Sequence, residues 1–239
     1  MKVIEKIQVV EGPNYVHLFS GGLDSAYGLL MLANEQVKNN REGEIYPIFM
    51  DYGQNAAPTE WAQVLKLAKF ISEKVKGSNI HEPIKINLSS DLFQWCHNVA
   101  FTGIEVGDEH PEIQNRNMVL LSILFSYLLA CAQNQGITKA DFKISSGFKE
   151  GEMGDCSAEF FKSLANVFRL YHSEYGMYMD PLPNLTRGQV HNKIKKLFRG
   201  SQIQLELFSS MTTSCYSPVN GKACNTCWKC RRIAMEKEG

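Results

Sequence analysis

Val16-His17-Leu18-Phe19-Ser20-Gly21-Gly22-Leu23-Asp24-Ser25 passes from an apolar run through paired glycines into a segment rich in alanine and leucine. A strand that turns in this way into a helix start brings unpaired amides and hydroxyls together, and the helix dipole there favours negative charge. The stretch reads as an anion site at a strand-to-helix turn, with a nucleotide phosphate as the expected guest. It is not one of the common nucleotide loops. Neither GxxxxGKS/T nor GxGxxG occurs in the chain, and no lysine stands where a transferred terminal phosphate would be gripped.

Working outward, Tyr15 to Phe19, Ile45 to Met50, Ile84 to Leu88 and Asp141 to Ser145 are short apolar or β-branched runs that predict strands. Helical stretches separate them. Trp61, Val64, Leu65, Ala68, Ile71 and Val75 recur at helical spacing and predict one buried face. Further helices are predicted from Asn117 to about Gln133, from Ser157 to His172, and from Thr186, a candidate cap, to Phe198 with Val190, Ile194 and Leu197 on one face. Strand and helix alternate, so the expected fold is α/β with a parallel sheet. The weakly periodic segment Asp91 to Glu112 is expected to form an irregular lid or insertion.

At 239 residues the chain is long enough for one large domain and an ample core. The expected division is an α/β nucleotide domain over residues 1–200 and a cysteine-bearing segment over 201–239 packed on it. Lysine plus arginine equals aspartate plus glutamate at 25 each, which gives no strong field toward nucleic acid or membrane surfaces. Met1 to Glu11 lacks the features of a secretion signal. The longest apolar stretch, Met118 to Ala132, is shorter than the roughly 20 residues of a membrane span and reads as a buried helix, so a cytoplasmic protein is expected.

Of seven cysteines, Cys215, Cys224, Cys227 and Cys230 cluster as C-x8-C-x2-C-x2-C. Four thiolates at such short separation are the number that tetrahedral zinc takes in a closed structural site. An iron–sulfur cluster would use the same count, and unligated thiols are the third reading. A closed zinc site has no open position for substrate, so its expected role is folding. Lys222, Lys229, Arg231 and Arg232 lie around it, either to screen the thiolates or to face a nucleic acid.

The pattern Ser-Gly-Gly-x-Asp-Ser resembles the signature of the PP-loop ATP pyrophosphatases, which hold pyrophosphate in such a loop while AMP passes to an organic oxygen. With the cysteine cluster added, the chain resembles the 7-cyano-7-deazaguanine synthase family (QueC) nearly end to end. The matching motifs are Ser20 to Ser25, Asp51-Tyr52-Gly53-Gln54, Asn115-Arg116-Asn117, Asp155-Cys156 and the terminal four cysteines. The resemblance implies a doubly wound parallel sheet, often dimeric, and a cytoplasmic ligase. That enzyme adenylates 7-carboxy-7-deazaguanine with ATP, couples it to ammonia as an amide, and dehydrates the amide to the nitrile.

The resemblance places nucleotide contacts at Phe19, Ser20, Gly21, Gly22, Leu23, Asp24 and Ser25 and at Met50, Asp51, Tyr52, Gly53 and Gln54. Ser20, Asp24, Ser25 and Arg116 take the catalytic roles, with Asp24 orienting the loop or a magnesium ion, or else serving as a helix cap. The planar fork of Arg116 suits a carboxylate or phosphate. Asn115, Asn117, Asp155, Cys156 and Arg187 are the remaining substrate candidates. Asp155 is either a partner for a guanine-like edge or an N-cap, and Cys156 either a nucleophile or a packing thiol. Cys215, Cys224, Cys227 and Cys230 would hold structural zinc.

Three departures fall on the acceptor side. Ile113-Gln114-Asn115 replaces a Pro-Gly before Arg116, the segment before Asp155 is short, and Arg187 stands where the family has lysine. Arginine keeps its proton near neutral pH, so a proton-transfer role for that lysine is lost. Two acceptors stay open, ammonia or an amine of a partner protein, the latter in keeping with QueC-like proteins of bacterial antiviral defence operons. A non-catalytic nucleotide sensor or scaffold is the third reading.

Overall fold

A computed structural model describes residues 6–40, 42–88, 113, 115–150, 154–179 and 182–238. The expected lid at 91–112, and Gln114, Gly151, Glu152, Met153 and Pro181, lie outside them. Five parallel strands form one sheet: β1 Pro13–Leu18, β2 Ile45–Asp51, β3 Ile84–Asn87, β4 Ala140–Ser145 and β5 Tyr175–Met179, in the order β3-β2-β1-β4-β5. The seven helices among the described residues are α1 Leu23–Lys38, α2 Ala57–Lys74, α3 Arg116–Asn134, α4 Ala158–Tyr171, α5 Arg187–Leu197, α6 Gln202–Ser210 and α7 Trp228–Glu238.

Strand alternation sorts the core into two layers. Tyr15, Ile45 and Phe49 face α1, α2, α5 and α6, whereas Val16, Ile48 and Met50 face α3 and α4. The fold is thus the doubly wound parallel sheet expected. Helix α3 has the length and apolarity of a membrane span, yet Leu121, Leu124, Phe125 and Leu128 are buried against the sheet. Phe70, Phe198 and Phe208 meet ring to ring with centroids 5.7 to 6.2 Å apart and lock α6 onto α2 and α5. Thr186 caps α5 in a full capping box with Gln189.

Some boundaries and faces differ from expectation. Leu65 is not on the buried face of α2; Leu67 is, because the stripe through Val64, Leu67, Ala68 and Ile71 leaves position 65 to one side. Strand β5 and helices α6 and α7 escaped prediction. The run Tyr175-Gly176-Met177-Tyr178-Met179 is five residues long, and its glycine weakens the strand signal.

The strand order reverses between β1 and β4, and that switch point is where open α/β sheets bind ligands. Here the two strand ends are in close contact. A Cβ on Gly147, just past β4, would stand 2.6 Å from the Ser25 amide nitrogen and 2.8 Å from its Cα. Neither is a side chain that could turn aside. Gly147→Ala is therefore expected to displace the start of α1 and destabilise the fold by about 1–3 kcal/mol, measured by urea unfolding.

Candidate active site

The loop after β1 is held by its own groups and by a bond to β2. Phe19 N–H donates to Ile48 O at 2.8 Å, tying the loop entry to β2. Gly21 adopts φ +75°, a left-handed conformation suited to glycine, and a Cβ there would meet Glu60 O at 3.1 Å. Ser25 Oγ accepts from Ser20 N–H at 3.1 Å and donates to Leu18 O at 3.1 Å, which closes the turn. The N-cap of α1 is Gly22, without a side-chain cap, so Asp24 is not the cap; it lies in the first turn.

Beneath the loop lies His17, fully buried and unmarked in the sequence. Its Nε2 lies 2.8 Å from the Ser25 carbonyl and its Nδ1 2.7 Å from Ser145 Oγ. A carbonyl only accepts, so Nε2 carries the proton and Nδ1 accepts from the Ser145 hydroxyl. The neutral ring thereby joins β1, α1 and β4 at the switch point. Burial brings His17 down from 6.5 to about 3, opposed by its bond to Ser25. The unfolded chain binds a proton in that window that the folded one does not, so stability falls as pH drops below 6.5. His17→Gln, neutral throughout, is expected to flatten that acid slope in urea titrations, by up to about 1.4 kcal/mol per pH unit.

A cavity of about 280 Å³ opens from this loop. Phe19, Ser20, Gly22, Leu23, Asp24 and Ser25 line one side, and Met50, Tyr52 and Gln54 continue it from the end of β2. Asp51 and Gly53 do not line it. Asp51 pairs with Lys85 at 2.6 Å and accepts from the Gly53 amide at 3.1 Å, while Gly53 has φ +85°, so both build the turn. Gln54 ties that turn to α2: its Oε1 accepts from Tyr52 N–H, and its Nε2 donates to Glu60 Oε2, each at 2.9 Å.

Arg116, at the start of α3, also lines the cavity. Burial alone would favour proton loss from its guanidinium, but its neighbours Tyr52, Tyr216 and Asp155, with a hydrogen bond to Tyr52, outweigh it and raise its pKa. Glu60, also on the wall, is driven by burial from 4.5 to about 7, against the Gln54 bond and the charge of Arg116. The fork is fixed and cationic, with a carboxylate near neutrality beside it.

The other substrate candidates divide. Asn117 and Cys156 line the cavity, and Asn117 Nδ2 lies 3.4 Å from the buried Cys156 Sγ. Asp155 lies in a 3-10 turn, Gly154–Cys156, close enough to act on Arg116. The cap of α4 is Ser157, whose Oγ accepts from Phe160 N–H at 3.1 Å, so Asp155 is not the N-cap. Asn115, at φ 56°, is exposed at the N-cap of α3 and does not line the cavity. Nor does Arg187, which lies at the start of α5 close enough to act on His191.

The sulfurs of Cys215, Cys224, Cys227 and Cys230 lie within 4.8 Å of one another. A tetrahedral zinc with Zn–S bonds of about 2.3 Å needs sulfurs about 3.8 Å apart, so a small contraction around one ion satisfies all four. Amides of Cys224 and Cys227 already donate to Cys215 Sγ and Cys224 Sγ at 3.2 and 3.3 Å. Of the nearby cations, Arg231 donates to Thr226 O, Arg232 lies over the Trp228 ring, and Lys229 lines the cavity.

The cluster lies against the cavity. Thr213, Ser214, Cys215 and Tyr216 form part of the wall, and Thr213 N–H donates to Gly21 O at 3.0 Å. His17, Glu60, Lys149, Thr213 and Tyr216 are the neighbours that sequence reasoning missed. The adjacency of Thr213 and Tyr216 to the first clustered cysteine was the available signal.

The family model for the queuosine biosynthesis protein QueC matches residues 14–237. This chain belongs to that family. The 7-cyano-7-deazaguanine synthase of Leptospira interrogans is 27% identical over 94% of this chain and 87% of its own length. The synthase of Pseudoalteromonas translucida is 28% identical over 90% and 89%. A solved 4-thiouridine synthetase, in complex with RNA and bound ATP, aligns with this QueC-family chain at a TM-score of 0.48 and 16% identity, covering 94% of this chain and 50% of its own; that likeness is too loose to carry an argument.

Proposed function

We propose that this QueC-family chain is an ATP-dependent ligase that activates the carboxylate of a 7-deazaguanine acid and transfers the acyl group to an amine. The observation that carries this reading is that the loop after β1 and Arg116 line one cavity at the switch point of the sheet. Loop amides face the leaving phosphates, and the fork of Arg116 holds the attacking carboxylate.

The chemistry follows from that arrangement. A carboxylate oxygen attacks the α-phosphorus of ATP, the bond to the β-phosphate oxygen breaks, and pyrophosphate leaves. An amine then attacks the acyl carbon and AMP departs. Magnesium, when bound, neutralises charge developing on the phosphates, and Asp24, the acidic side chain of the loop, is the residue to hold it. Cys215, Cys224, Cys227 and Cys230 would hold zinc, which when bound would supply rigidity to the wall. Glu60 is placed to accept a proton inside the cavity.

With ammonia as the amine, the product is the amide and, after a second activation, the nitrile. A protein amine as acceptor is the second reading. It is favoured by Arg187, which stands outside the cavity and cannot exchange a proton near neutral pH. Mass spectrometry after incubation with ATP, magnesium, 7-carboxy-7-deazaguanine and ammonium separates the two. Nitrile supports the first reading, and adenylate or amide without nitrile the second. Absence of pyrophosphate release with any acid would leave a nucleotide sensor.

A further inference from the structure

The loop at the end of β1 has no lysine of its own, yet the fold brings one to it from 125 positions further along the chain. Lys149 follows β4, and its Nζ stands 3.5 Å from Asp24 Oδ2 at the start of α1. The same Nζ lies 3.5 Å from the carbonyl oxygen of Leu185, in the segment that leads into α5. The side chain is 12% exposed, so its charge is held at the loop and not in bulk solvent.

Both contacts are longer than the roughly 2.8 Å of a closed charge-assisted hydrogen bond. An ammonium has three donors, and these two long contacts leave it free to turn one toward an anion. A second polar group nearby is also unsatisfied: His191 Nε2 is buried without a hydrogen-bond partner, and the side chain feels the charges of Arg187 and Asp24. Lysine at this place is a compact cation beside the loop that the sequence reads as a phosphate site.

We propose that Lys149 is the phosphate-gripping cation of this site, contacting the β- and γ-phosphates of the nucleotide and the pyrophosphate that leaves. The assignment rests on the ATP-dependent reading above and extends it to a residue supplied by the segment after β4. Asp24 aims the ammonium, and the loop amides complete the cradle. On this assignment the effect of Lys149 is confined to the terminal phosphates.

Calorimetric titration of the full chain with inorganic pyrophosphate and, separately, with AMP tests this. Lys149→Met is expected to weaken pyrophosphate binding about tenfold to a hundredfold and to leave AMP binding unchanged, while Lys149→Arg restores most of the pyrophosphate affinity. If Lys149→Met does not fold, Lys149→Gln, which keeps a donor for the Leu185 carbonyl, carries the same comparison. Unchanged pyrophosphate binding, or equal weakening of AMP and pyrophosphate, would overturn the assignment. A parent chain that binds neither probe would instead bring down the nucleotide reading on which it rests.

Discussion

Arg116→Ala is expected to reduce acid-dependent pyrophosphate release by about a thousandfold or more, the scale seen when a preorganised cationic group is removed from a developing negative charge. The structural reason is that Arg116 lines the cavity with Tyr52, Tyr216 and Asp155 acting on its guanidinium, which fixes a planar cation there. Arg116→Lys should recover little, since a single ammonium cannot replace a planar fork on a carboxylate. Loss of the cation also removes the charge that holds Glu60 down, so its carboxyl should move further above about 7. Unfolding in urea should show a smaller penalty, about 1–3 kcal/mol, for polar groups left unsatisfied. A variant that kept a tenth of the parental rate would refute this placement of the carboxylate site.

The second large effect concerns the cysteine cluster. Cys227→Ser is expected to lose the bound metal and, with it, the wall built by Thr213 to Tyr216. Beyond Phe208 the buried positions among the described residues are Cys215 and Cys227 themselves, so that stretch has little apolar core to hold it without an ion. Thr213 would then release Gly21, and nucleotide affinity should fall about tenfold or more for loss of the loop brace. Metal content by plasma mass spectrometry and nucleotide titration of the same preparation give the comparison. Full nucleotide affinity in a metal-free variant would separate the two sites and contradict the shared wall.

Much of this architecture was legible in the chain. Tyr15 to Phe19, Ile45 to Met50, Ile84 to Leu88 and Asp141 to Ser145 are strands to within a residue or two: β2 is a nearly continuous buried apolar run, while β3 and β4 alternate buried apolar residues with more exposed ones. Thr186 and Gln189 announce their capping box by spacing alone. The four cysteines, close in sequence, are close in space for the same local reason. Strand β5 was invisible because its stability comes from pairing with β4 along one edge, a contact that no local pattern encodes. Helix α6 depends likewise on Phe208 meeting Phe70 and Phe198.

The candidate site divides along the same line. The loop, Arg116 and the cysteines announced themselves by residue type and spacing. The sequence could not separate Asp51 and Gly53, which build a turn, from Tyr52 and Gln54, which face the cavity. It left Asp155 between cap and ligand, and Ser157 removes the cap reading by taking the cap itself.

By itself, the order of residues determined the periodicities, the capping box, the glycine-bearing loop and the clustering of the four cysteines, all of which depend on neighbours a few positions apart. Tertiary structure alone decided that His17 sits neutral under the loop, that Lys149 reaches Asp24, and that Thr213 braces Gly21. These are contacts between strand ends and segments far apart in the chain. Their distances are set by how the sheet is ordered and packed, and short-range pattern carries no record of that.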